Sequence, residues 1–161
     1  MKMMRVVGIA GLFVLACGEE SDSTGNQRDQ LSDLVGADAV WVADLDGGED
    51  RSIDELIESG VFERADGSDA EAIALLLGTE DNYMETANAC FDNDVAIRFR
   101  FADNQRLHAI VGLTCWNVNF VGEEDDQVVP ADGYLSPGSL EELAVVLKRV
   151  SPSLDITAIG E

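Results

Sequence analysis

The chain of 161 residues has a single histidine, three cysteines and only ten lysines and arginines against 32 acidic residues. Each shortage excludes a class of function. One imidazole cannot build a histidine-based zinc cluster, and it leaves no second imidazole for acid–base pairing. A phosphate backbone demands a basic face, and ten basic residues within a net charge of −22 offer little to build one from, so nucleic acid is not expected as a partner. There is no G-x-S-x-G elbow and no glycine-rich phosphate loop after a strand, which removes the usual signatures of nucleophilic hydrolysis and nucleotide binding. Nor does any apolar run reach the roughly twenty residues that a membrane-spanning helix requires.

The run that comes nearest lies at the start. Lys2 and Arg5 are followed by an uncharged apolar stretch from Val6 to Ala16, eleven residues long, and then by Cys17. A positive start and a short apolar stretch make a signal peptide rather than an anchor helix. Val14-Leu15-Ala16-Cys17 resembles the lipobox of bacterial lipoproteins. The resemblance implies cleavage before Cys17, a diacylglycerol on its sulfur, and attachment to the membrane through lipid alone. Gly18, where an aspartate would mark retention at the inner membrane, implies sorting to the outer membrane in a Gram-negative cell. Removing Lys2 and Arg5 with the leader leaves eight basic residues against 32 acidic ones.

From Gly18 to Gln30 the sequence GEESDSTGNQRDQ has no apolar residue to bury and reads as a flexible tether. The expected organisation is a leader over 1–16, a tether over 17–30 and one domain over 31–161. Within that domain three segments begin with a serine followed three residues later by a glutamate, the reciprocal cap of a helix N-terminus: Ser52/Glu55, Ser68/Glu71 and Ser139/Glu142. Gly60 and Gly78 mark two helix ends. In the third segment Leu140, Leu143, Ala144 and Leu147 recur at helical spacing, Lys148 and Arg149 suit the C-terminal dipole, and Ser151-Pro152 ends the run. A fourth, short helix is expected after Thr79.

Between these segments the apolar period falls from 3.6 to 2. Val95, Ile97, Phe99 and Phe101 alternate with Ala96, Arg98 and Arg100, which predicts a strand with one buried face. Leu107 to Phe120 reads as a second strand, apolar on both faces in its middle, and Asp103-Asn104 supply the turn between the two. AVWVADL is a further strand, and QVVP an edge strand because Pro130 cannot donate to a ladder. The class is α+β, a small antiparallel sheet with three to four helices packed against it.

If Phe99 faces Leu107, partners across this hairpin sum to 206 and Cys115 falls opposite Phe91, one residue from Cys90. Cys90 and Cys115 then form a structural disulfide, as expected outside the cytoplasm. A redox pair is the alternative, although there is no C-x-x-C spacing. The same hairpin, from Cys90 to Cys115, resembles a stretch in poorly characterised exported bacterial proteins, through Cys90, Phe91, Ala96, Ile97, Arg98 and Cys115. In those proteins Pro, Arg and His stand where this chain has Asn93, Asp94 and Val95, and a cysteine stands in place of Gly112. The resemblance implies export and no particular activity.

Candidate chemistry is sparse. His108 lies on the Arg98/Arg100 face and reads as a partly exposed strand residue. Asp44, Asp46, Glu49 and Asp50 surround the Gly47-Gly48 turn and offer hard oxygens for calcium, as does GEEDD from Gly122 to Asp126, but neither follows an EF-hand loop. Trp41 and Trp116 read as core or edge aromatics; a carbohydrate platform would need both on one exposed face. The leading expectation is a non-enzymatic lipoprotein of the bacterial envelope, without cofactor, that binds an envelope component or serves as a structural accessory. The alternative is an acidic calcium-binding domain, and a hydrolase comes third.

Overall fold

The computed structural model describes residues 30–45, 51–85, 90, 92–123, 127 and 129–156. Six antiparallel strands form one sheet: β1 (Ala39–Asp44), β2 (Glu63–Arg64), β3 (Val95–Arg100), β4 (Arg106–Val111), β5 (Asn117–Gly122) and β6 (Gly133–Tyr134), in the order β2-β1-β3-β4-β5-β6. Three α-helices accompany it, α1 (Ile53–Ser59), α2 (Gly67–Gly78) and α3 (Pro137–Val150), with 3-10 segments at Gln30–Gly36 and Glu80–Asn82. The fold is α+β. The leader, Cys17 and the tether up to residue 29 lie outside the described residues, and Gln30, assigned to the tether above, already belongs to the first 3-10 segment.

The central hairpin has the expected register. Phe99 pairs with Leu107, Val95 with Val111, and Arg100 with Arg106. The turn closes where Asn104 takes φ 67°, a left-handed conformation that asparagine tolerates, and the Asp103 carboxylate accepts the Gln105 amide at 3.0 Å. Val95, Ile97 and Phe99 face the same side as Leu107, Ala109 and Val111, and all are fully or almost fully buried. Helices α2 and α3 lie on that side, contributing Ile73 and Leu77 from one and Leu140, Leu143 and Leu147 from the other. Each such side chain adds about 1.5–3 kcal/mol when removed from water, so this layer holds the domain together.

The segment expected to be one strand from Leu107 to Phe120 is instead two, β4 and β5, paired with each other. Two backbone features break it. A Cβ at Gly112 would lie 2.7 Å from the Asp92 carbonyl oxygen and would also meet the Asn117 side chain, so only glycine fits there. Trp116 then takes φ 64° and the chain reverses. Buried Asn117 staples the turn to the start of β3, accepting the Asp92 amide and donating to the Asp92 carbonyl, each at 3.0 Å. The Asp94 carboxylate accepts the Leu113 amide at 2.6 Å. Just beyond β4 lies Cys115, and the disulfide to Cys90 is made with Cα atoms 5.4 Å apart.

Other boundaries also move. Only the first capping box forms, with Ser52 Oγ accepting the Glu55 amide and Glu55 accepting the Ser52 amide. Helix α2 starts one residue before Ser68, with Asp66 at its N-cap and no side-chain capping bond. Helix α3 starts three residues earlier than a Ser139 cap would set it, at Pro137, because Ser136 caps it and proline loses nothing at a position whose N–H has no helical partner. Gly60 is extended at φ −65° and Gly78 is helical. Both are small for contact, Gly60 against Ala43 and Phe62 and Gly78 against the Leu31 carbonyl. Where a fourth helix was expected only the 3-10 turn Glu80–Asn82 forms, after which Tyr83 bridges to Leu135; residues 86–89 lie outside the description. Of QVVP, the described Gln127, Val129 and Pro130 are not in a strand, and the edge is β6 instead.

Candidate functional site

Among the described residues, the second face of the sheet is covered at one end only. Helix α1 packs Leu56 over Ala43, Ala96 and Ile110, with Ile53, Ile57 and Phe62 at the margin. Period-2 alternation places the polar partners of the core residues in rows beyond that cover. Arg64 stands opposite Trp41, Trp41 opposite Arg98, and Arg98 opposite His108. In the adjoining row Ala39 stands opposite Arg100, and Arg100 opposite Arg106. Opposed side chains on one face have Cβ atoms about 5 Å apart, and like charges in that position destabilise a sheet. A chain with 32 acidic residues nevertheless sets Arg100 against Arg106 with Arg98 beside them. Four of the seven described basic residues share this face.

His108 is only 2 % exposed, which corrects the expectation of partial exposure. Phe62 supplies the cover, its ring centroid 6.1 Å from the imidazole. Arg98 Nε–H donates to His108 Nε2 at 2.9 Å, so the imidazole is the acceptor and carries its own proton on Nδ1. Burial is the chief cause that pulls the His108 pKa down to about 4, with the Arg98 charge adding to it and Glu123 opposing. A histidine committed in this way orients its neighbour. The Arg98 guanidinium is held at its edge by His108 and over its face by Phe62, whose ring centroid lies 3.7 Å from Cζ. Burial lowers the Arg98 pKa too, but a guanidinium remains charged across the physiological range. Its two Nη atoms find no acceptor among the described residues.

Trp41 lies between two more guanidiniums, with Arg100 Cζ 5.4 Å and Arg64 Cζ 5.9 Å from its ring centroid. Both lie within cation–π reach of the indole, at longer range than the 3.7 Å stack of Arg98 on Phe62. Among the described residues Glu123 reaches this face, 3.4 Å from Arg106 Nη1 and 4.0 Å from His108 Nε2, and it is itself partly exposed. An exposed pair of this kind holds its partner weakly.

Several of the residues singled out from the sequence lie outside the described residues. Asp44 lies exposed at the end of β1, paired with Val95, while Asp46, Glu49 and Asp50 lie outside the described residues, as do Glu124, Asp125 and Asp126 of the second acidic loop. Asp94, whose pKa burial raises first and the charges of Asp92 and Asp44 raise further, is occupied by the Leu113 amide. Among the described residues no three His, Cys, Asp or Glu side chains come together as a metal-binding group. The two tryptophans do not share a face, which excludes a platform built from the pair and leaves only single-ring contacts: Trp41 is on the arginine side, whereas Trp116 packs against the main core at the β4–β5 turn. Arg64, Arg100 and Arg106 were not singled out as site residues. The sum of 206 that aligns the hairpin already sets Arg100 against Arg106 and Arg98 against His108; only Arg64 depends on a pairing that two residues of β2 do not announce. No family model matches the chain, and no curated protein and no solved structure matches it.

Proposed function

We propose that this chain is a non-enzymatic binding lipoprotein of a bacterial envelope, anchored through Cys17 and held at the outer membrane, with the Arg64–Trp41–Arg98–Arg100–Arg106 face as its binding surface for an anionic envelope component. One observation carries the reading: the sparse positive charge of an acidic chain is gathered on the half-covered face of its sheet, with two arginines directly opposed at a cost in stability. Local conflicts of this sort are expected where function is being served. The commitment of the single histidine to Arg98 supports a binding role over a hydrolytic one, since the imidazole nitrogen that would take a proton is already an acceptor. Charge also confines the partner. Beyond a screening length of about 8 Å the field of these arginines is largely screened, so attraction is felt only by groups that reach the face itself.

The test is capture of the full-length protein, solubilised in non-ionic detergent so that an acyl anchor does not hold it, on immobilised envelope fragments from its own cells at physiological salt. Arg64→Glu combined with Arg100→Glu is expected to lower retention at least tenfold, while Arg149→Glu, which removes an arginine paired with Asp69 on the opposite side of the sheet, leaves it unchanged. Equal retention of all three proteins overturns the reading.

A further inference from the structure

The geometry within this face narrows the chemistry of what it binds, an inference that rests on the reading of the face as an anion-binding surface. A guanidinium can meet a carboxylate either side-on, through Nε and one Nη, or end-on, through both Nη atoms. At Arg98 the side-on edge is spent on His108 Nε2, and rotation is opposed by the Phe62 ring stacked at 3.7 Å. The end-on fork is what remains, fixed before any ligand arrives, and pre-organisation of this kind removes part of the entropic cost of binding.

Directly across the β1–β3 pair stands Trp41, a flat aromatic surface that its two neighbouring guanidiniums approach without stacking closely. A fixed carboxylate fork and, opposite it, a half-buried indole whose flanking guanidiniums stand 5.4 and 5.9 Å from its centroid fit one compact ligand with two features, a carboxylate and a flat apolar ring face about one side-chain spacing apart. The charge of the rest of the molecule limits its size. A long polyanion laid across the face would extend past the arginines along a chain whose net charge is −22, whereas a single anionic unit stays within them.

We propose that the Arg98 fork and the Trp41 ring together bind one carboxylated sugar unit of the uronic-acid type, its carboxylate on Arg98 Nη1 and Nη2 and its ring against Trp41, with Arg64 and Arg100 as flanking positive charges. Arg98 sets the specificity for carboxylate, and His108 is the positioning residue that fixes the fork. Lysine in place of Arg98 would keep the charge and lose the bidentate geometry.

The experiment uses the full-length protein in a non-ionic detergent and isothermal titration with D-galacturonate, D-galactose and acetate. Galacturonate is expected to bind at least tenfold more tightly than either of the others, because galactose lacks the carboxylate and acetate lacks the ring. Arg98→Lys and Trp41→Leu are each expected to weaken galacturonate at least tenfold, and Arg100→Gln, at a half-buried position that makes no side-chain hydrogen bond among the described residues, several-fold with a melting temperature no lower than that of the wild type. Acetate binding as tightly as galacturonate, or galactose doing so, overturns the proposal; so does unaltered affinity in a folded Trp41→Leu, or polygalacturonate binding tenfold more tightly per uronate than the monomer. If galacturonate fails to bind while the Arg64/Arg100 double variant still loses envelope retention, the sugar proposal falls and the anion-binding face stands. If retention also survives, both fall.

Discussion

Acidification from pH 7 to pH 5 should destabilise this protein through one side chain, His108. The unfolded imidazole titrates near 6.5, and in the folded chain burial and the Arg98 charge lower that to about 4. Because the folded value is the lower one, the unfolded chain takes up the proton first as pH falls. The stabilisation is therefore complete above pH 6.5, is lost progressively between 6.5 and 4, and changes no further once both states are protonated. Integrated from pH 7 to pH 5, the two values give a loss of about 2 kcal/mol. His108→Gln retains an acceptor for Arg98 and cannot titrate, so urea denaturation of both proteins at pH 7, 6 and 5 isolates the histidine contribution. Asp94 works with the opposite sign, since its raised folded pKa adds stability as pH falls, but it is common to both proteins and cancels in the comparison. Identical pH dependence in wild type and His108→Gln would refute the burial of a neutral, arginine-bound imidazole.

Two further outcomes concern the β4–β5 turn. Reduction and alkylation of Cys90 and Cys115, 25 residues apart, should cost about 3.5 kcal/mol on the chain-entropy account, seen as a fall of about 12 °C in melting temperature; a change under 2 °C would mean that the loop ends are already fixed by other contacts. Gly112→Ala should lose about 3 kcal/mol in urea denaturation, because the new methyl displaces Asn117 from its two bonds to Asp92, and a neutral result would show that the turn has room to relax.

How much of this could be read from the chain depended on whether a residue's neighbours are local or distant. The β3–β4 hairpin was legible to the residue, because alternation in Val95–Arg100 and Leu107–Val111 fixes the inward set and a short turn fixes the register, and the cysteine pairing followed from the same sum. The false continuity of Leu107 to Phe120 arose because apolar alternation runs unbroken through a reversal. What turns the chain is steric and non-local, the approach of Asp92 and Asn117 to Gly112. Helix starts shifted for a related reason: Ser52/Glu55 formed its box, but Ser136-Pro137 outcompeted Ser139/Glu142, whose serine side chain instead reaches Ser136 and Asn82. His108 was placed on the correct face and misjudged in exposure, since Phe62, the residue that covers it, comes from a segment more than forty residues away. The arginine rows were present in the register and invisible in composition, where ten basic residues among 32 acidic ones read only as a deficit.

The most direct test of the claim that this face does the binding is an arginine-modification footprint, with the protein treated by an arginine-selective dicarbonyl in the presence and absence of envelope from its own cells and the sites read by peptide mass analysis. Arg64 and Arg100 should lose at least four-fifths of their reactivity when envelope is added, while Arg51 and Arg149 keep theirs. Equal protection of all four arginines, or protection confined to Arg51 and Arg149, would contradict the account.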